Sequence, residues 1–132
     1  MQILIDTSAI IAVLVNEASK LAIIQATQQT DLLAPPSIHW EIANAFSAMF
    51  KRERLSLPEA LTAVEIYQQI PIRFIEIELE ESLRIAAELD IYAYDAYLLR
   101  GAVKYNLPIL TLDQGLKEKA ERLGVKVIEV QK

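Results

Sequence analysis

The chain of 132 residues contains no cysteine and only one histidine. The absence of cysteine excludes disulfide bonds, thiolate metal sites and thiol nucleophiles. A pair of histidine ligands is excluded as well. A metal site in this chain would therefore have to use the oxygen atoms of carboxylates, which suit hard ions such as Mg²⁺ or Mn²⁺.

Long hydrophobic runs are also missing. The longest uninterrupted apolar run, AIIAVLV at residues 9–15, is too short to cross a bilayer, which takes about 20 residues. The opening MQILIDTS has no basic segment and is expected to form a strand rather than a signal peptide. Since linker-like, repetitive and low-complexity tracts are absent too, we expect a single cytoplasmic domain over residues 1–132 with no membrane contact.

Acidic side chains outnumber basic ones, so the formal net charge is −5. Nucleic-acid phosphates are usually held by lysine and arginine, so this balance argues weakly against a phosphate-bearing substrate. The densest basic patch is KRER at residues 51–54. Lys51 and Arg52 are candidate substrate contacts, with a charge cluster at a helix end as the alternative. Arg100 is a third candidate, with a solvated helix face as the alternative.

Hydrophobic residues, by contrast, make up 53% of the chain, which suggests that a partner covers some apolar surface. We expect a homodimer and a groove for a partner helix. Three tyrosines near residue 95 are candidates for stacking on bases, or for walling off a helix start. These are Tyr92, Tyr94 and Tyr97.

Apolar strand-like segments alternate with amphipathic helical ones. Strands are expected at about residues 2–5, 32–35, 72–77, 108–112 and 125–130. Helices are expected at about residues 8–15, 17–29, 37–52, 57–70, 79–89, 95–105 and 114–123, with Leu83, Ala86 and Ala87 facing inward in the fifth. This alternation predicts an α/β fold, with a mostly parallel sheet and helices on both faces.

Three aspartates lie at the ends of apolar elements. Asp6 and Asp113 follow strands, where ligands of parallel sheets usually bind, and Asp95 lies where a helix is expected to start. Each of them alone is explained by capping of the next helix. The alternative is that the three belong to one site.

Glu41 is a fourth acidic candidate. It lies on the border of the apolar stripe of its helix, one turn from Ile38 and Ala45. A carboxylate drawn toward the interior needs a cation or a group of donors, or its pKa rises. The alternative is a side chain at the edge of the stripe whose carboxylate reaches water.

Taken together, the four acids favour one site. Carboxylates that converge at a sheet end repel one another strongly unless a cation lies between them. Such clusters are useful in the hydrolysis of phosphodiesters, where one divalent metal ion activates a water molecule and a second, if present, stabilises the leaving oxygen. A non-catalytic binding module, in which the acids serve as caps, remains open.

Four segments of the chain resemble the PIN-domain nucleases, and among them the VapC-like toxins of type II toxin–antitoxin systems. The segments occur in the order found in that family: ILIDTSAIIAVL with Asp6, HWEIANAF with Glu41, YDAYLLRGA with Asp95, and ILTLDQGLKEKAERLGVKVI with Asp113. The resemblance implies a three-layer α/β/α sandwich. It also implies an endoribonuclease that uses Mg²⁺ or Mn²⁺.

The resemblance also implies roles for individual residues. Asp6 and Asp95 would be direct metal ligands, and Asp113 a direct or water-mediated one. Glu41 would hold the metal through water or position the attacking water. The hydroxyls of Ser8 and Thr111 would orient the acids or a water molecule.

An antitoxin whose C-terminal segment covers the site would be the partner of such a toxin. A PIN nuclease that acts in RNA processing or decay without an antitoxin is the alternative.

Overall fold

The computed structural model describes residues 1–130. Its strands are β1 (Gln2–Ile5), β2 (Asp31–Ala34), β3 (Ile72–Phe74) and β4 (Ile109–Leu110). Its helices are α1 (Thr7–Leu14), α2 (Lys20–Thr27), α3 (Ile38–Lys51), α4 (Leu57–Gln69), α5 (Leu79–Leu89), α6 (Ala93–Tyr105) and α7 (Gln114–Arg122). Strands and helices alternate along the chain much as the hydrophobic pattern predicts.

The four strands form one sheet in the order β3-β2-β1-β4, and every pairing in it is parallel. Parallel strands have their carboxyl ends at the same edge of the sheet, so the residues that follow β1 and β4 lie next to each other. Here the backbone N–H of Asp6 donates to the carbonyl of Leu110 over 3.0 Å. This topology positions the candidate site at the carboxyl edge of the sheet, as expected for α/β proteins.

Successive residues of β1 supply two separate hydrophobic cores. Ile3 and Ile5 pack in one core with buried residues of α1, α2, α3 and α4. Leu4 packs on the other face with residues of α5, α6 and α7. Since neighbouring residues of a strand point to opposite faces, helices cover both sides of the sheet. The predicted three-layer α/β/α sandwich is therefore confirmed.

Three expected strands are shorter in the structure, and β4 covers only Ile109–Leu110 of the expected residues 108–112. β3 ends at Phe74 rather than at residue 77, because its partner β2 gives way to Pro35 and Pro36, which have no backbone N–H for a ladder. The strand expected at residues 125–130 is reduced to a single parallel bridge between Val127 and Ile109. Its neighbour β4 is only two residues long, which limits the pairing.

The expected inward face of α5 was partly wrong. Leu83 is 61% exposed and Ala87 is exposed as well, whereas Ala86 is half-buried. The buried residues are Ser82 and Leu89 instead. The Ser82 hydroxyl is satisfied in the interior because it donates to the carbonyl of Glu78 over 2.8 Å.

Helix α6 begins at Ala93, two residues before the expected start. Tyr92 occupies its N-cap position with an extended backbone, so Asp95 lies inside the first turn and does not cap the helix. A carboxylate in the first turn is favoured by the helix dipole. Among residues 1–130, no helix is both long and apolar enough to span a membrane.

Candidate active site

Asp6 is held by two hydroxyl groups at the carboxyl edge of the sheet. Ser8 Oγ donates to its Oδ2 over 2.8 Å, and Thr111 Oγ1 donates to the same oxygen over 2.6 Å. Although Asp6 stands at the N-cap position of α1, these bonds turn its carboxylate toward β4. Asp6 makes no side-chain capping bond to α1, and its carboxylate is held by Ser8 and Thr111 instead.

Thr111 and Ser8 link this carboxylate to the segment that carries Asp113. Thr111 is fully buried, and its Oγ1 lies 3.2 Å from Ser8 Oγ. The same Thr111 oxygen accepts from the backbone N–H of Asp113 over 3.1 Å, and Ser8 Oγ accepts from that of Leu112 over 2.9 Å. The loop after β4 is thus tied to Asp6.

Asp113 has the capping role that the sequence left open. Its Oδ1 accepts from the backbone N–H of Leu116 over 3.1 Å, in the first turn of α7. The side chain is exposed, and its negative charge contributes to the raised pKa of Asp95. The capping interpretation therefore accounts for the side-chain bond of Asp113.

Glu41 lies half-buried on α3 and is fixed by two more hydroxyls. Thr7 Oγ1 donates to its Oε1 over 3.1 Å, and Ser37 Oγ donates to its Oε2 over 2.9 Å. Burial raises the pKa of Glu41, the Ser37 bond opposes this, and the charges of Asp6 and Asp95 raise it further, so that the pKa lies above its usual value.

Asp95 is the acid whose pKa is raised most. Burial, followed by the charges of Asp6 and Asp113, raises the pKa of Asp95 to about 6. Like-charged carboxylates disfavour ionisation only when they are near one another. Burial is the larger cause for both Asp95 and Glu41, and the charges of acids that follow β1 and β4 or lie on α6 add to it.

The donor set suits a hard divalent cation in its chemistry, because it consists of carboxylate oxygens with uncompensated negative charge. The side chains are not arranged as a closed set of ligands. Within residues 1–130, no group of three or more histidine, cysteine, aspartate or glutamate side chains is placed to hold a metal ion. Closure around an ion would need side-chain rotations in this mutually repelling group.

The basic candidates lie apart from these acids. Arg100 Nε donates to Glu78 Oε1 over 2.9 Å, and Lys104 pairs with the other oxygen of the same carboxylate. Lys104 and Arg100 hold the pKa of Glu78 at about 2. Lys51 and Arg52 are exposed at the end of α3.

Two supporting residues were not identified from the sequence. Thr7, the first residue of α1, and Ser37, at the N-cap position of α3, both donate to Glu41. For Ser37 there was a signal: it precedes Glu41 by four residues, and side chains at that spacing face each other on a helix. For Thr7 the signal is only its place next to Asp6.

The comparisons with known proteins agree with this architecture. The family model described as "PIN domain" matches residues 3–122. A comparison with curated proteins found no significant match.

Several solved structures share the fold at low sequence identity. PAE2754 of Pyrobaculum aerophilum has a TM-score of 0.70 at 23% identity, over 90% of this chain and 79% of that one. VapBC2 of Rickettsia felis, bound to a promoter DNA fragment, has a TM-score of 0.70 at 13% identity, over 99% and 100%. VapC20 of Mycobacterium tuberculosis, a toxin that cleaves the sarcin-ricin loop, has a TM-score of 0.64 at 13% identity, over 88% and 93%.

Proposed function

Because the chain belongs to the PIN domain family, we propose that it is a metal-dependent endoribonuclease of the VapC-like toxin type. It hydrolyses RNA phosphodiester bonds with Mg²⁺ or Mn²⁺ as cofactor. The proposal places this activity in a single PIN-like domain, residues 1–132, and in the cytoplasm. The fold shared with VapC20 supports a nuclease rather than a module that only binds.

The observation that carries the proposal is that acids from separate elements lie together: Asp6 and Glu41 line one small cavity, and Thr111 bonds to both Asp6 and the backbone of Asp113. Asp95 responds to the charges of Asp6 and Asp113, and Glu41 responds to those of Asp6 and Asp95. Three independent helix caps would have no reason to influence one another, since caps bind their own local backbone. A site that collects negative charge in this way is suited to a divalent cation.

Each acid has a role that follows from its surroundings. Asp6 is oriented by Ser8 and Thr111, which makes it the best-positioned ligand in the group. Asp95, whose ionisation is disfavoured in the metal-free protein, gains most from a nearby cation and is the second ligand. Asp113 offers its second oxygen directly or through water, because Oδ1 caps α7.

Glu41 is best suited to position the attacking water. Its two oxygens are held by Thr7 and Ser37, and its raised pKa brings it closer to the range useful for taking a proton near neutral pH. When bound, the metal ion lowers the pKa of water and stabilises charge on the phosphate. The residues themselves set where the water and the phosphate lie.

A toxin of this kind has a protein partner. The shared fold with VapBC2 and with FitAcB of Neisseria gonorrhoeae (TM-score 0.54) supports a cognate antitoxin as that partner. The exposed leucines of α4, Leu57 and Leu61, lie one helical turn apart and support a homodimer or a contact with a partner helix.

The experiment is cleavage of a fluorescently labelled single-stranded RNA in Mg²⁺ or Mn²⁺. Asp6→Asn and Asp95→Asn are expected to reduce kcat/KM by more than about 100-fold, beyond the 10- to 100-fold typical of residues that only support a ligand. Asp31→Asn is the matched control, because Asp31 is exposed at the opposite, amino end of β2.

The same assay separates the proposal from its alternatives. Cleavage at the wild-type rate by Asp6→Asn and Asp95→Asn, with folding intact by circular dichroism, would rule out the acidic site as the catalytic centre. If the wild-type protein binds RNA but does not cut it with either metal, a non-catalytic binding module explains the fold better. Cleavage that a co-purified antitoxin inhibits supports the toxin role over RNA processing.

A further inference from the structure

Two exposed aromatic rings stand beside the acids. Trp40 directly precedes Glu41 on α3 and is 71% exposed, and Tyr94 directly precedes Asp95 on α6 and is 54% exposed. Consecutive residues of a helix point in different directions, so each ring lies outward of a carboxylate that faces the interior. Large exposed rings at such a position are unexplained by the core or by the acids.

The two rings line two adjoining cavities. One, of about 520 Å³, also contains Glu41, Thr7 and Asn44 in its walls, and we call it the acidic cavity. The other, of about 750 Å³, runs past Phe74, Ile77 and Leu79, and we call it the aromatic groove. Because Trp40 and Tyr94 line both, the aromatic groove and the acidic cavity adjoin at these two rings.

Neighbouring rings support the two aromatics. Trp40 makes an edge contact with His39, with ring centres 6.3 Å apart, and His39 lies 4.7 Å from the ring of Phe74. Tyr94 makes an edge contact with Tyr97 at 6.0 Å. Their faces are thus supported from the side, as expected of a surface that receives a planar group.

The charges near the groove favour a base over a phosphate as the group that is held. The protein carries a net charge of −5, and the nearby cations Arg100 and Lys104 are paired with Glu78. Few positively charged side chains are therefore available here to contact a phosphate. Stacking of a base on an aromatic ring needs no positive charge. It raises the binding affinity by about 5- to 150-fold for one base.

We propose that Trp40 and Tyr94 stack on an unpaired nucleobase of the substrate, next to the scissile phosphate. This inference rests on the nuclease function proposed above. The stacked base lies in the aromatic groove, and the adjoining phosphate lies in the acidic cavity beside Glu41. A base that is paired in a duplex has no free face to offer, so duplex RNA is a poor ligand.

Trp40 is the only tryptophan of the chain, so its fluorescence reports on this position alone. The titration uses Asp6→Asn with Mg²⁺, which prevents turnover, and a 12-nucleotide single-stranded RNA. Strong quenching is expected with this RNA, and little with the same RNA annealed to its complement or with an oligomer of abasic nucleotides. Equal quenching by all three would overturn the inference, because the backbone would then suffice.

Kinetics on the wild-type background give a second readout. Trp40→Ala is expected to raise KM for single-stranded RNA about 10-fold or more, and Trp40→Phe, which retains a ring, by less than about 3-fold. Mn²⁺ affinity is expected to stay unchanged in both. Leu21→Ala is the control, because Leu21 is 72% exposed on α2 and lines neither cavity.

The outcomes separate this inference from the proposed function. If Trp40→Ala cleaves RNA with an unchanged KM, stacking is rejected and the nuclease stands. If single-stranded RNA quenches Trp40 but the wild-type protein cuts no RNA, the nuclease is rejected and base binding stands. If RNA leaves the fluorescence unchanged while dilution shifts it together with the sedimentation mass, the groove holds a second copy of the chain and the inference fails.

Discussion

Thr111 and Asp6 are joined by a 2.6 Å hydrogen bond across 105 residues of chain. The bond connects the loop after β4 to the end of β1, and Thr111 also accepts from the backbone N–H of Asp113. One buried hydroxyl thereby fixes two of the four acids. A helix cap needs no such connection, so this contact supports the proposal of one assembled site over separate local caps.

Replacement of Thr111 by valine preserves the side-chain shape and removes both bonds. We expect the free energy of unfolding to fall by about 1–3 kcal/mol, since a buried N–H loses its acceptor. We also expect kcat/KM for RNA cleavage to fall about 10-fold, because Asp6 loses a positioning bond. Urea unfolding and the cleavage assay measure the two effects.

Two variants serve as controls for that experiment. Thr111→Ser keeps the hydroxyl and is expected to recover most of the activity, whereas Thr62→Val, on the exposed side of α4, is expected to change neither quantity. If Thr111→Val were less stable but cleaved RNA normally, the hydroxyl would be structural only and would have no part in orienting Asp6.

Asp113 combines two roles that different substitutions separate. Asp113→Asn retains an oxygen that can accept from Leu116 N, so we expect little change in stability and a large loss of cleavage. Asp113→Ala also removes the cap and is expected to cost about 1 kcal/mol of unfolding free energy in addition. Equal stability of the two variants would show that the bond to Leu116 contributes nothing to α7.

The pKa of Asp95 predicts a pH dependence of stability in the metal-free protein. Its folded-state pKa of about 6 lies above the ordinary value of 3.8, so between these values the folded state binds more protons than the unfolded state. Stability is therefore expected to fall as the pH rises from about 4 to about 6. Asp95→Asn removes this contribution, as thermal unfolding in a chelator would show.

The pH dependence of stability in the presence of Mg²⁺ provides the complementary measurement. With Mg²⁺ at saturation, the cation compensates the charges near Asp95, and the loss of stability between pH 4 and pH 6 is expected to shrink. A wild-type protein and an Asp95→Asn variant with the same pH dependence in chelator would contradict the shared electrostatics from which the site is argued.

Ser37 is expected to influence the pKa of Glu41. Its hydroxyl bond opposes the rise in the pKa of Glu41, so Ser37→Ala is expected to raise that pKa further. If ionised Glu41 positions the attacking water, the acid limb of the kcat/KM profile moves to higher pH. Ser47→Ala, on the same helix with its hydroxyl bonded to Asn44 O, is expected to leave the profile in place.

The sequence was sufficient for the order of elements and for the layers. Alternating apolar segments predict strands and helices because each has its own spacing, and Ile3, Leu4 and Ile5 reach opposite cores as such alternation requires. The ends of elements were harder to predict. β3 stops early because β2 runs into two prolines, and that limit depends on which strands are neighbours.

The candidate site was predictable only as a choice between interpretations. Asp113 caps α7 as its local sequence suggests, and no local pattern shows that its charge also reaches Asp95. The inward face of α5 was misjudged for a similar reason: Ser82 is buried because its hydroxyl finds a backbone carbonyl, while Leu83 remains exposed. Contacts between distant segments decide such cases.

Calorimetric titration with Mn²⁺ at pH 7 tests most directly whether carboxylates from separate elements form one cation site. The account predicts that the wild-type protein binds Mn²⁺ and that Asp31→Asn binds it equally well. Asp6→Asn and Asp95→Asn should each weaken binding at least about 10-fold. Absence of heat with the wild-type protein at millimolar Mn²⁺, or equal binding by all four proteins, would contradict it.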